Sequence, residues 1–178
     1  MARPYQPSLL RSLHALTALG VSAAWISGAL VWLTADRRGL PLQWSWLQDS
    51  GGDWIDIHGT AGVVLLPIAV MFGAYALSLG RTRLRRAANA LPLVALALAI
   101  GSGKLMNEHW LREGVLDHPV YAVHLLAWVL LTLSVIAHLC GAIALGGQPL
   151  LRSMFRLELR HNDLPGHWLG QIKRHVRN

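Results

Sequence analysis

The sequence predicts an all-α membrane protein: a four-helix bundle with both termini in the cytoplasm and a short amphipathic C-terminal segment. Three observations carry this expectation. The chain has 178 residues, 53% of them hydrophobic and 14% charged, with a mean hydropathy of +0.39. That is too apolar for an ordinary soluble domain. Four stretches, about 9–34, 54–79, 87–106 and 119–146, each reach the roughly 20 apolar residues needed to cross a hydrocarbon core of about 30 Å. Finally, twelve of the sixteen Lys and Arg fall in the N-terminal segment, the 80–86 connection and the C-terminal tail. Arg37, Arg38, Lys104 and Arg112 lie in or beside the other two connections, together with seven of the nine acids. Basic loops stay on the cytoplasmic side, which fixes the expected orientation.

The first span is too long for the apolar region of a secretory signal, and Ser27-Gly28-Ala29 is followed by more apolar sequence, so it is read as a retained helix. The connection at 35–53 carries Trp44, Trp46 and Trp54 around Ser50-Gly51-Gly52. With Trp32 and Trp110 they form an aromatic belt at the far interface. The short connection at 80–86 makes spans two and three antiparallel neighbours. Its run Arg81-Thr82-Arg83-Leu84-Arg85-Arg86 is a topology signal and a contact for anionic lipid headgroups. Span three contains Pro92 and closes on Gly101-Ser102-Gly103-Lys104, which lacks the spacing and the preceding strand of a phosphate-binding loop. Asp117-His118-Pro119 starts span four with proline in its first turn. Gly146-Gly147-Gln148-Pro149 breaks that helix. From Leu150 to Arg160, Arg152, Arg156 and Arg160 share one helical face, as in a helix lying on the membrane surface. Residues 1–149 are therefore one transmembrane domain and 150–178 a basic surface tail. The net charge of +7 is explained by this distribution, and nucleic acid is not an expected partner.

Chemistry concentrates on four histidines. An ionisable ring inside a bilayer is costly and usually faces a partner within the bundle. His14 near the start of span one and His138 near the end of span four lie towards the cytoplasmic face. His58 and His124 open spans two and four at the opposite face. His124 and His138 are fourteen residues apart, just under four turns, so both rings leave the same side of one helix about 21 Å apart. Depth pairs His14 with His138 and His58 with His124. Neutral imidazoles donate to haem iron without burying a charge, so the two pairs suit two haems. The lone Cys140 and the absence of a C-x-x-C-H run make any haem non-covalent; Cys140 itself reads as a buried small hydrophobe. Gly20, Ala24 and Gly28, Gly59, Gly62 and Gly73, and Gly141 give room for close approach by a helix or a flat macrocycle. Arg11 precedes His14 by three residues, one turn away on the same side, where it suits a haem propionate, a quinone headgroup or a topology role. His109 and His118 belong to the outer connection, and His161, His167 and His175 to the tail; all five read as surface residues.

Arg11-Ser12-Leu13-His14, His58-Gly59 and the stretch from His124 to His138 resemble the bacterial cytochrome b561 and nickel–iron hydrogenase b-type cytochrome superfamily, which includes membrane subunits of formate dehydrogenases. The resemblance covers about residues 8–155 and is strongest in span four. It implies a bundle with two haem b groups, His14, His58, His124 and His138 as iron ligands, and electron exchange with quinone or another redox protein. One relative type oxidises superoxide and reduces ubiquinone. The resemblance also implies a multi-pass protein of a bacterial inner or thylakoid-like membrane. The family often has an aromatic residue straight after the first histidine; here it is Ala15, and no partner-docking extension is evident. A quinone-linked oxidoreductase and an electron-transfer subunit both fit this pattern. Two other functions compete: a non-haem metal transporter using the same histidines, and a structural anchor for a redox complex. The transporter lacks a mid-membrane carboxylate or thiolate and a single convergent site.

Overall fold

The computed structural model describes residues 5–35, 53–155, 158–168, 170 and 172. Four helices are long and apolar enough to cross a membrane: α1 (Ser8–Ala35), α2 (Trp54–Leu77), α3 (Ala87–Leu105) and α5 (Pro119–Met154). A short α4 (Glu108–Arg112) lies between the last two, and no strand occurs among the described residues. The chain is a multi-pass membrane protein. Large apolar side chains such as Leu19, Val63, Val70, Val94 and Leu133 are 57–70% exposed, and such an outward apolar surface contacts lipid.

Local chemistry sets the helix ends. Asp53 caps α2, its carboxylate accepting from the amides of Ile55 and Asp56, as an N-cap acid does. The His118 ring accepts from the Val120 amide ahead of Pro119 to start α5. The helical start of α1 is capped from far along the chain: the Asp163 carboxylate accepts from the Ser8 amide at 2.6 Å and from the Tyr5 hydroxyl at 2.5 Å. The Ser8 hydroxyl donates to the Asp163 carbonyl, and the Trp168 indole donates to the Ser8 oxygen at 2.8 Å. Residues 158–168 are thereby strapped under α1. Asp163 raises the pKa of the Tyr5 hydroxyl, but less than desolvation does.

In α5, Gly147 adopts φ 57°, ψ −158°, a conformation open to glycine and strained for other residues. The expected break at Gly146–Pro149 is this kink. The helix beyond it ends at Met154, and Arg160 lies in extended backbone, so the helix expected over 150–160 is shorter than the charge spacing implied. Arg156 and the Trp44 and Trp46 belt lie outside the described residues.

The four spans form two closely packed pairs, α1 along α2 and α3 along α5. Between the pairs, close backbone approach is mainly that of α2 and α3, which the 80–86 turn joins. A slot therefore runs between them. At mid-depth Leu65, Ala95, Leu96 and Leu131 close it, backed by Val21 and Ala24. Trp25 and Trp128 stack across it at 5.4 Å, with the Trp25 indole donating to the Thr132 hydroxyl.

Candidate functional site

The slot holds the histidines in layers set by a seven-residue step, about 10.5 Å along a helix. Leu65 lies seven residues from both His58 and Phe72, and Leu131 seven from both His124 and His138. One layer contains His58 and His124, the middle layer Leu65 and Leu131, and the third His14, Phe72 and His138. The third layer lies at the end with residues 5–8 and 158–168, called here the basic end. The first lies at the distal end. All four rings are half-buried.

Both pairs meet across the slot at nearly the same spacing. Ring centroids are 6.2 Å apart for His14 and His138, with planes at 35°, and 6.0 Å for His58 and His124, with planes at 67°. A transition metal sits about 2.0–2.1 Å from an imidazole nitrogen, and the ring centre about 1.1 Å behind it. Two rings in line across one metal therefore have centroids about 6.3 Å apart. Both pairs match that spacing.

Hydrogen bonds to Nδ1 fix three of the rings. His58 Nδ1 faces the Ala24 carbonyl at 3.0 Å and Ser27 Oγ at 3.2 Å. His124 Nδ1 faces Ser102 Oγ at 2.9 Å, and His138 Nδ1 the Ala88 carbonyl at 3.0 Å. A carbonyl can only accept, so Nδ1 of His58 and His138 carries the proton. Ser102 already donates to the Leu98 carbonyl at 2.7 Å, so it too accepts from His124. In each neutral ring Nε2 then keeps its lone pair, the tautomer a metal requires. His14 has no hydrogen-bonded ring nitrogen among the described residues; the edge of Phe72 contacts it instead.

Span three has no histidine, yet it orients both histidines of α5. Pro92 explains one anchor. Proline has no N–H and leaves the carbonyl four residues earlier without its helical donor; that carbonyl belongs to Ala88, and His138 occupies it. Ser27, Ser102 and Ala88 were not among the residues expected to matter, and Ala24 was expected only as a small residue giving room for close approach. Pro92, counted back four residues, was the available signal for one of them.

Glycine positions define the space. A Cβ on Gly28 would come within 3.0 Å of His58 Cε1, and one on Gly103 within 3.1 Å of His124 Cε1. At Gly20 it would meet Leu65 Cδ1 at 2.8 Å, and at Gly141 the Ala88 Cβ at 3.3 Å. Gly59, Gly62 and Gly73 have open space around them. Gly59 and Gly62, with His58 and His124, line a cavity of about 1050 Å³ reaching from the distal mouth at Lys104 and Asn107 to Leu131. That volume is at the top of the usual range for small-molecule and cofactor sites, about 300–1,000 Å³. The Trp128 indole N–H borders it, buried and without an acceptor among the described residues.

Arg11 is 6% exposed, and its guanidinium donates to the Glu158 carbonyl at 3.0 Å and lies 5.4 Å from the Tyr5 ring centre. It ties the C-terminal strap to the turn before His14. At the distal end, Arg112 pairs with Asp53 at 2.6 Å and Asp56 at 2.7 Å, clasping α4 to the start of α2. The Arg112 hydrogen bond holds the Asp53 carboxyl below its ordinary pKa, and Asp53 raises that of Arg112. His118 stacks on Trp110 at 3.8 Å. His109, His161 and His167 are exposed, Cys140 is exposed on its helix, and His175 lies outside the described residues. No family model, curated protein or solved structure matches the chain.

Proposed function

We propose that this chain is a di-haem b-type membrane cytochrome that carries electrons across the membrane between a quinone and a redox partner or small donor. The observation that carries the reading is the spacing of two histidine pairs, 6.2 and 6.0 Å between ring centres, at two levels of one bundle. Each pair offers two nitrogens. Among the described residues no group of three or more His, Cys, Asp or Glu converges to hold a bare ion. A pair of imidazoles alone would suit an iron whose other ligands come from a porphyrin. This favours haem over a transported metal.

Two haems would be held by His14 with His138 and by His58 with His124, and would supply one-electron transfer. The chain's own part is to hold and insulate. Ser27, Ala24, Ser102 and Ala88 fix three of the rings through Nδ1, which leaves Nε2 as the ligating nitrogen. Leu65, Leu96 and Leu131 exclude water between the two levels. The basic end takes the cytoplasmic side by its excess of Arg and Lys, and a quinone or soluble partner meets either site at its membrane surface.

Purified protein should show reduced b-type absorbance bands, and pyridine haemochrome analysis should give two haems per chain, extractable with acid–acetone. A fully loaded protein with one haem, haem retained on the polypeptide, or no b-type spectrum would refute the proposal.

A further inference from the structure

The two histidine levels are anchored unequally. At the distal level both rings donate from Nδ1: His58 to the Ala24 carbonyl and Ser27, His124 to Ser102. Ser27 and Ser102 are 3% and 5% exposed, so water does not compete for these bonds. Each hydroxyl also donates to its own helix, Ser27 to the Ala23 carbonyl at 2.8 Å and Ser102 to the Leu98 carbonyl at 2.7 Å, which leaves its oxygen aimed at the ring. At the basic end, among the described residues, only His138 has an acceptor, the Ala88 carbonyl, while His14 packs edge-to-face with Phe72. An acceptor on Nδ1–H makes the imidazole a stronger donor through Nε2. A stronger donor favours ferric over ferrous iron and lowers the reduction potential. The excess of Arg and Lys at the basic end, Arg11 among them, favours ferrous iron there and acts in the same direction, so the serine variants are what isolate the hydrogen bonds.

We propose that Ser27 and Ser102 are positioning residues that hold the distal site at a lower potential than the basic-end site, so that electrons run downhill from the distal face to the basic end. The inference rests on the di-haem reading above. Redox titration of the purified holoprotein tests it, with the two waves assigned from His58→Ala and His14→Ala proteins that each retain one haem. The lower wave should belong to the distal haem. Ser102→Ala should keep both haems and raise the distal wave alone, by a threefold to tenfold change in the reduction equilibrium (tenfold is 59 mV for one electron). Ser102→Thr, which keeps the hydroxyl, should restore it. If Ser102→Ala sheds the distal haem, Ser27→Ala decides, because the Ala24 carbonyl still holds His58: a raised distal potential supports the inference and an unchanged one overturns it. A lower wave assigned to the basic-end haem, or an unmoved distal potential in fully loaded Ser102→Ala, also overturns it. Wild-type protein that binds no haem would instead overturn the cytochrome reading.

Discussion

Gly103→Ala is a demanding test of the distal site, because the new methyl meets a ring that has nowhere to go. Its Cβ would sit 3.1 Å from His124 Cε1, against an ordinary carbon–carbon separation of about 3.5–4.0 Å. The ring must retreat by about 0.5 Å. Retreat stretches the 2.9 Å bond to Ser102 or changes the 6.0 Å spacing to His58. Overpacking of this kind costs about 1–3 kcal/mol. Replacing glycine by alanine inside a helix returns up to about 1 kcal/mol through propensity, but that gain is shared by the haem-free and haem-bound states. On the di-haem proposal, the strain would fall on the haem-bound state, where His124 would be least free to yield. Distal haem affinity should therefore weaken by a factor of about 5 to 150. Gly101→Ala is the control: it lies two residues earlier on the same helix with no atom within 4 Å of its Cβ, so it keeps the propensity gain without the clash. Haem content and thermal unfolding in detergent read both variants. Gly103→Ala should lose the distal component of the spectrum selectively, and Gly101→Ala should keep both haems with an unchanged or higher Tm. Wild-type distal affinity and spectrum in Gly103→Ala would refute the steric reasoning.

Four further outcomes are expected. His14→Ala and His138→Ala should each remove the same haem, and His58→Ala and His124→Ala the other; a His14→Ala spectrum resembling His58→Ala and unlike His138→Ala would break the pairing. Asp163→Asn removes the charged cap on the Ser8 amide and should cost about 0.5–2 kcal/mol, seen as a lower Tm and faster proteolysis between 158 and 168; unchanged protection there would show that the strap does not depend on Asp163. The Asp53 carboxyl has a folded pKa below its ordinary 3.8, so its bond to Arg112 contributes fully above that value and is lost as pH falls through the folded one. Hydrogen exchange in 107–112 should accordingly stay slow at neutral pH and rise only below about pH 4, whereas a rise centred near pH 6 would point to a different group. Reporter fusions after Asn178 and within Ser50–Gly52 should report cytoplasm and exterior respectively, and the reverse would move the distal level to the cytoplasmic face.

The spans were legible in the sequence because hydrocarbon thickness demands a run of about 20 apolar residues; the first three expected segments end within two residues of observed helices, and the fourth ends at the Gly147 kink of a helix that continues to Met154. The depth of the histidines was legible too. Fourteen residues on one helix is a fixed rise and nearly a whole number of turns, so His124 and His138 had to share a face whatever surrounded them. Neighbours across the bundle were far less legible. Gly28 was expected to give room for a helix or a macrocycle and Gly103 only to help close span three; His58 and His124 stand directly against them. The Ser27–His58, Ser102–His124 and Ala88–His138 bonds join residues 31, 22 and 50 positions apart. The cap on α1 comes from 155 positions away, so no local pattern announces it, and the tail read as a free surface segment is a strap. By itself the sequence determined how many helices there are, how deep each histidine sits and which faces carry them, since covalent geometry and bilayer thickness leave little else. Only the tertiary structure decided that α1 with α2 and α3 with α5 pack as two pairs around a slot, how far apart facing rings stand, and which Nδ1 atoms are held, because those depend on side chains that meet only after helices distant in sequence have packed.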